Sequence, residues 1–358
     1  MALNPRLNDP DRPLVSMLIF NYNYGRYLRE CFDSVLAQTY DNIEINFSDN
    51  ASTDDSWEIA LEYQKRYPST IFIARNRQNF GTDANFKNCA INARGKYFVE
   101  LCSDDALLPD FTRICIKALE SNLDAGFALV HRTILDENGK RIEEPPFYNQ
   151  TCKIPGAAQA AVYMMAAVNP AVTQIMYRKM MSQDKSVSGG LGARYYGTRI
   201  MDFHICCEHP IVYIKTPLML HRLHLLNDSF RAADNMMEVI GPYVLNLQFV
   251  DMARPYGHQE VVDRLPASVE KIARLALRYS VRALISGSER NALKYFHLSA
   301  AFFPEIVEDV IFNKLTSYWM ADADEKKRLL DGFQSESNLV TRTISYDPPV
   351  GSILISLT

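Results

Sequence analysis

Asp104 and Asp105 follow an apolar run, Tyr97-Phe98-Val99 with Leu101, inside the stretch Glu100-Leu101-Cys102-Ser103-Asp104-Asp105-Ala106-Leu107-Leu108-Pro109. Carboxylates at the end of a strand are poor core material, because buried unpaired charge is costly. They are suitable ligands for a hard divalent cation, which prefers oxygen. A cation held there could bridge to the phosphates of a nucleotide. The plain alternative is a helix N-cap or a solvated turn. What gathers at the neighbouring strand ends decides between the two.

The first third of the chain alternates strand and helix signals. Leu14 to Phe20 is an apolar run of strand length. Leu28, Cys31, Phe32, Val35 and Leu36 share one helical face within Tyr27 to Gln38. Ile43 to Phe47 reads as a second strand, and Ser52 with Asp55 as a capping box opening a helix through Tyr67. Thr70 to Ala74 is a third strand, Asn85 to Ala93 a short helix, and Tyr97 to Leu101 a fourth strand. Strands apolar on both faces and separated by helices indicate a parallel α/β sheet. Ligands of such sheets lie outside the carboxyl ends of the strands. Asn21-Tyr22-Asn23, Asp49-Asn50 and Asp104-Asp105 all fall at such ends. Their coincidence favours the ligand reading of the acidic pair.

Composition narrows the class. The 358 residues carry a net charge of −4, which argues against a general nucleic-acid binder. Seven cysteines include no CxxC pair, and Cys31, Cys89, Cys102 and Cys115 lie in apolar runs as buried thiols do. The odd count points to a reducing compartment. Met1 to Pro13 has no apolar h-region, and no apolar run reaches the length of a membrane span. A cytoplasmic protein is expected, with room for peripheral contact at the inner face of a membrane. The turn after the first strand, Asn21-Tyr22-Asn23-Tyr24-Gly25, lacks the GxGxxG pattern of a dehydrogenase.

In order along the chain come Pro13-Leu14-Val15-Ser16 leading to Tyr22-Asn23, then Ser34-Val35-Leu36-Ala37-Gln38-Thr39-Tyr40, then Ser48-Asp49-Asn50-Ala51-Ser52-Thr53-Asp54. Asn79-Phe80-Gly81 with Ala93-Arg94-Gly95-Lys96-Tyr97, and Ser103-Asp104-Asp105 with Leu107 and Pro109, complete the series. Residues 13–230 thereby resemble a family 2 glycosyltransferase of the GT-A fold. The resemblance implies inverting transfer of a sugar from a nucleotide-diphosphate donor to a hydroxyl of a glycan or lipid-linked acceptor, as in bacterial surface-polysaccharide synthesis. It implies that Asp105 coordinates Mn²⁺ or Mg²⁺ while Asp104 contacts the ribose or assists the metal. It assigns the base-and-ribose pocket to Phe20, Asn21, Tyr22, Asn23, Asp49 and Asn50, with Asn85 or Asn88 facing the donor. Asn50 departs from the family, which commonly has a second acid there.

The family also places an acidic general base late in the domain, and Met201-Asp202-Phe203 occupies that position. Asp202 is thus the candidate base, the alternative being a helix cap or a pair with Arg199. Leu220-His221-Arg222-Leu223-His224, then Asn227 and Ser229, resemble the closing motif. There Arg222 would contact the diphosphate and His224 would complete the metal shell, unless His224 is a structural histidine. Asn169 to Arg178 and the glycine-rich Ser188 to Tyr196 would wall the acceptor side.

From Asp228 to Phe333 the pattern is helical, giving an expected helical domain at 231–339 and a tail or short hairpin at 340–358. Lys271, Arg274, Arg278 and Arg282 form a basic stripe beside an apolar one. Such a helix suits membrane contact or dimerisation, or is a solvated face of a packed hairpin. Two other functional classes stay open: a nucleotidyltransferase, and a degenerate GT-A scaffold that binds partners through these helices.

Overall fold

The computed structural model describes residues 11–136, 138–165, 170–182, 193–224, 235–337 and 344–357. Asn169, positions 188–192 of the glycine-rich stretch, and Asn227 with Ser229 lie outside them. Compact packing divides the chain into two units, with boundaries at 160/161, 167/168, 224/225 and 342/343.

The first unit is built on one mixed sheet. Its elements begin β1 (Val15–Asn21), α1 (Gly25–Leu36), β2 (Ile43–Asp49), α2 (Ser56–Arg66), β3 (Ile71–Arg75), α3 (Thr82–Ala90) and β4 (Tyr97–Cys102). There follow β5 (Ala106–Leu107), α4 (Phe111–Glu120), β6 (Phe127–Leu135), β7 (Arg141–Ile142), β8 (Cys152–Ile154) and α5 (Gly156–Met164). The series continues with β9 (Ile175–Arg178), α6 (Lys179–Ser182), α7 (Ala193–Glu208) and β10 (Ile211–Arg222). Strand β11 (Ile353–Leu354) returns from the far end of the chain, so that the order is β11-β8-β10-β6-β9-β4-β1-β2-β3.

Strands β3, β2, β1 and β4 are parallel, as their two-sided burial requires. Antiparallel β9 then joins β4 to β6. The parallel expectation therefore holds for the first half and gives way to a mixed sheet beyond β4. The strands are continuous apolar runs because helices cover them. Leu28, Cys31, Phe32 and Val35 form the buried stripe of α1. Phe32 stacks on Tyr63 of α2 at 4.8 Å between ring centroids.

Helix α2 starts three residues later than the Ser52–Asp55 pattern predicts, with Asp55 rather than Ser52 preceding it. Asp54 supplies the turn instead, accepting from Ser56 N (3.1 Å), Ser56 Oγ (2.6 Å) and Gly25 N (2.8 Å). A Cβ on Gly25 would lie 2.1 Å from Asp55 Oδ1 and 3.1 Å from Ser56 N, so a larger residue would have to displace the Asp55 side chain where α1 meets this turn. Ser52 is drawn away to Asp49, with which it bonds through both its amide and its hydroxyl.

The last residues pair with β8 rather than with one another. Tyr346 N donates to Phe147 O (2.8 Å), Asn149 N to Tyr346 O (2.9 Å) and Ile355 N to Thr151 O (3.2 Å). The Phe147 and Tyr346 rings meet at 5.2 Å. Deleting 344–357 is therefore expected to destabilise this unit by about 3 kcal/mol or more, at about 1 kcal/mol per backbone hydrogen bond. Chemical denaturation checks this, and an unchanged midpoint would contradict it.

The second unit is helical: α8 (Met237–Ala253), α9 (Gln259–Val262), α10 (Leu265–Ile285), α11 (Glu289–Phe302), α12 (Val310–Met320) and α13 (Ala323–Ser337). Helices α10 and α11 pack around Ala276, Tyr295 and Ala292, with Tyr279 stacked on Tyr295 at 5.2 Å. The basic stripe is partly spent within the unit. Arg274 pairs with Glu270 and Asp309, and Arg282 lies over the Tyr279 ring. No helix among the described residues is long and apolar enough to cross a membrane.

Candidate active site

The register of the parallel strands brings three polar ends together. Asn21 of β1 stands opposite Asp49 of β2, and Phe20 opposite Cys102 of β4. At the first two ends the side chains form a buried knot. Asn21 Nδ2 donates to Asp49 Oδ1 and to Ser52 Oγ, each at 3.1 Å. Ser52 N and Arg75 Nε reach Asp49 Oδ2 at 3.0 and 3.2 Å. Asp49 is fully buried and shapes the loop from within. Asn23, in the left-handed region at φ 59° where Asn is tolerated, accepts from Thr53 N at 2.8 Å. Tyr22 is left exposed at the rim, and Phe20 meets Phe86 edge-on at 6.0 Å.

Asn50 explains itself as a builder of the loop at 76–81. Its Nδ2 donates to Asn79 Oδ1 (2.8 Å) and Gly81 O (3.1 Å). Its Oδ1 accepts from Asn76 Nδ2 (2.9 Å) and Phe80 N (3.0 Å). An acid there could make only the accepting half of this set. Asn85 is likewise committed, accepting from Ser48 Oγ (2.6 Å) and donating to Asn21 O (3.1 Å). Asn88 donates to Asn76 Oδ1 at 2.6 Å. Asn21 Oδ1 is buried and accepts no hydrogen bond among the described residues.

The acidic pair is organised by β10. Leu220 pairs with Ala106, which sets the following residues beside the Asp104-Asp105 turn. Asp105 Oδ1 receives Arg222 N and His221 Nδ1, both at 3.1 Å, and Oδ2 receives Thr173 Oγ1 at 2.7 Å. Its side chain is 1% exposed. Asp104 is 11% exposed and meets His224 Nε2 at 3.1 Å through Oδ2. Burial raises the Asp104 pKa, His224 pulls it back, and the neighbouring Asp105 charge adds to the rise. Cys102 Sγ lies with the two carboxylates in a group of the size that holds a metal ion. Burial, and then the fields of Asp105 and Asp104, push that thiol far up, so it stays protonated. Arg222 is held from four sides: its amide on Asp105, Nε on Asp104 O (3.1 Å), NH2 on Glu30 (2.5 Å), and its guanidinium over Tyr27 (4.7 Å).

Asp202 sits on α7, fully buried. Tyr177 OH donates to Oδ1 at 2.6 Å, and Arg199 NH1 to Oδ2 at 2.5 Å. Burial raises its pKa to about 6, against the pull of Arg199 and Tyr177. Glu100, inside β4, receives Thr198 Oγ1 at 3.1 Å. Burial, with repulsion from Asp202, raises it to about 8. The native state thus keeps a proton that an unfolded Glu releases near 4.5, and stability falls as pH rises through about 8. Glu100→Gln is expected to melt with the native protein at pH 5 and above it at pH 8.5, by about 2–4 °C for each kcal/mol regained. Parallel melting curves across that range would remove the effect.

Residues 16–183 match the model of glycosyl transferase family 2. This segment is a family 2 glycosyltransferase domain. Over 130 residues the chain is 32% identical to chondroitin synthase of Escherichia coli, covering 36% of this chain and 19% of that one. It spans under half the length of the curated relatives that head the comparison. The structure of Staphylococcus aureus TarS 1–349 with UDP-GlcNAc superposes with a TM-score of 0.55 at 13% identity, covering 96% of this chain and 99% of that one. Mannosyltransferase PcManGT of Pyrobaculum calidifontis, with GDP-Man and Mn²⁺, gives 0.51 at 12%, covering 92% and 88%. The family 2 domain here therefore has the GT-A fold.

Within it, Thr173, His221, Glu100 and Tyr177 join the candidate site without having been singled out from sequence. His221 stood inside the closing motif, and Glu100 interrupts an apolar strand, which is a signal for a buried charge with a purpose. Thr173 and Tyr177 lie inside the Asn169–Arg178 segment expected to wall the acceptor side, but nothing marks either one individually.

Proposed function

We propose that the protein is an inverting, divalent-cation-dependent glycosyltransferase that moves a sugar from a nucleoside-diphosphate donor to a hydroxyl of a growing glycan or glycolipid. One observation carries this reading: Asp104 and His224 face each other at 3.1 Å on a turn that Asp105 anchors at the carboxyl edge of the family 2 sheet. A carboxylate suits Mn²⁺ or Mg²⁺, and an imidazole beside it favours the softer Mn²⁺ over Mg²⁺. Asp104 and His224 would hold the ion, with Asp105 orienting the turn behind them. When bound, such a cation neutralises charge gathering on the leaving diphosphate.

The rest falls to the protein's own groups. Tyr22 offers an exposed ring for the base. Asn21 Oδ1, a buried acceptor with no donor among the described residues, suits an N–H supplied by the nucleotide. Asp202 is assigned to take the acceptor's hydroxyl proton. Its pKa of about 6 keeps it ionised at neutral pH and near the optimum for a general base. A carboxylate has about four lone-pair sites, so Tyr177 and Arg199 leave capacity for a hydroxyl. The mannosyltransferase structure with GDP-Man and Mn²⁺ and the chondroitin synthase relative support the reading of donor class and polymer.

The test is donor turnover with UDP-, GDP-, CDP- and dTDP-sugars, with Mn²⁺ or with a chelator. One nucleotide should be consumed and the chelator should stop it. No turnover of any donor, with no thermal shift from any nucleotide plus metal, would overturn the assignment.

A further inference from the structure

Resting on that reading of the Asp104–His224 pair, we infer that Tyr27 is a positioning residue that sets the His224 imidazole and the Arg222 guanidinium in place. Tyr27 lies in the first turn of α1, half-buried. Four groups converge on its ring, the first of them Tyr24 at 6.3 Å between centroids. The His224 ring lies 5.1 Å away at 32°. The guanidinium of Arg222 lies over the ring at 4.7 Å, and that of exposed Arg26 at 4.5 Å. Tyr24 closes on His224 as well, at 5.6 Å.

An aromatic face attracts guanidinium groups through its quadrupole, and stacked rings fix one another's orientation. Two cations and an imidazole would otherwise repel or wander. Glu30, one turn further along α1, takes Arg222 NH2, so this helix grips Arg222 through both ring and carboxylate. Arg222 in turn bonds the Asp104 carbonyl, and His224 bonds the Asp104 carboxylate. Helix α1 therefore fixes both residues that flank Asp104. The face of the ring does this, since the Tyr27 hydroxyl takes no hydrogen-bond partner among the described residues.

Full-length protein is titrated with Mn²⁺ alone, and free ion is read by electron paramagnetic resonance. Tyr27→Phe should bind within about twofold of the native protein. Tyr27→Leu, which stays apolar but loses the ring face, should weaken Mn²⁺ about 10-fold, the range seen when partners of metal ligands are removed. In turnover the loss should fall on the metal requirement and saturating Mn²⁺ should restore kcat. Asp104→Asn is run alongside. If Asp104→Asn loses Mn²⁺ while a folded Tyr27→Leu keeps native affinity, the positioning role is overturned and the site stands. If Asp104→Asn keeps native affinity, the metal site itself is misassigned.

Discussion

Asp104→Asn is expected to lower sugar transfer by about 10²–10³-fold, the usual loss when one group facing developing charge is removed, with little change in melting temperature. Asp105→Asn should behave differently. Asp105 accepts from Arg222 N, His221 Nδ1 and Thr173 Oγ1, all with little access to water. An amide in its place presents a donor to at least one of these donors, at a cost of about 1–3 kcal/mol. Its activity loss should come with a lower melting temperature and a disordered Asp104. Initial rates and thermal melts on the two variants separate the roles. If Asp105→Asn alone abolished metal dependence and kept native stability, the two carboxylates would exchange places.

The second large effect is at Asp202. The acid limb of kcat/KM should rise through about pH 6, because the proposed base works only when ionised and its pKa lies there. Asp202→Asn should lose about 10²–10⁴-fold across the whole range and erase that limb. Tyr177→Phe removes a donor that favours the anion, so its limb should move to higher pH with a small loss on the plateau. The linked stability runs the other way. A raised carboxyl pKa stabilises the fold below about 3.8, and that contribution is lost as pH rises through about 6. Activity and stability should therefore diverge between those limits. A pH–rate profile of unchanged shape in Asp202→Asn would remove it as the base.

The gathering of the strand ends is legible in the sequence, because each apolar run stops at a polar cluster and parallel sheets present those stops on one edge. The division of labour proposed for Asp104 and Asp105 is not. It depends on His221 and Arg222, which lie more than a hundred residues away and reach Asp105 only once β10 pairs with β5. Ser52 is misread for a related reason: the capping pattern is local, whereas Asp49 competes for the same hydroxyl through a turn that β2 fixes. Asn50 looks like a missing acid until Asn76, Asn79, Phe80 and Gly81 surround it. The Asp202–Arg199 pair follows from i, i+3 spacing on a helix. The contribution of Tyr177, from a strand antiparallel to β4, is invisible until the sheet turns mixed.

The return of β11 to β8 also has a consequence for biogenesis. Arg222 completes β10, yet the outer edge at Cys152–Ile154 has no partner strand until Ile355 has emerged from the ribosome. At ordinary synthesis rates that interval is roughly ten seconds. Through it the nascent protein carries an open strand edge, a template for unwanted pairing, while the helical segment made in the meantime can already settle into its own core. Translation speed across that segment, and the chaperones present during it, should therefore govern soluble yield more than the stability of the finished protein does.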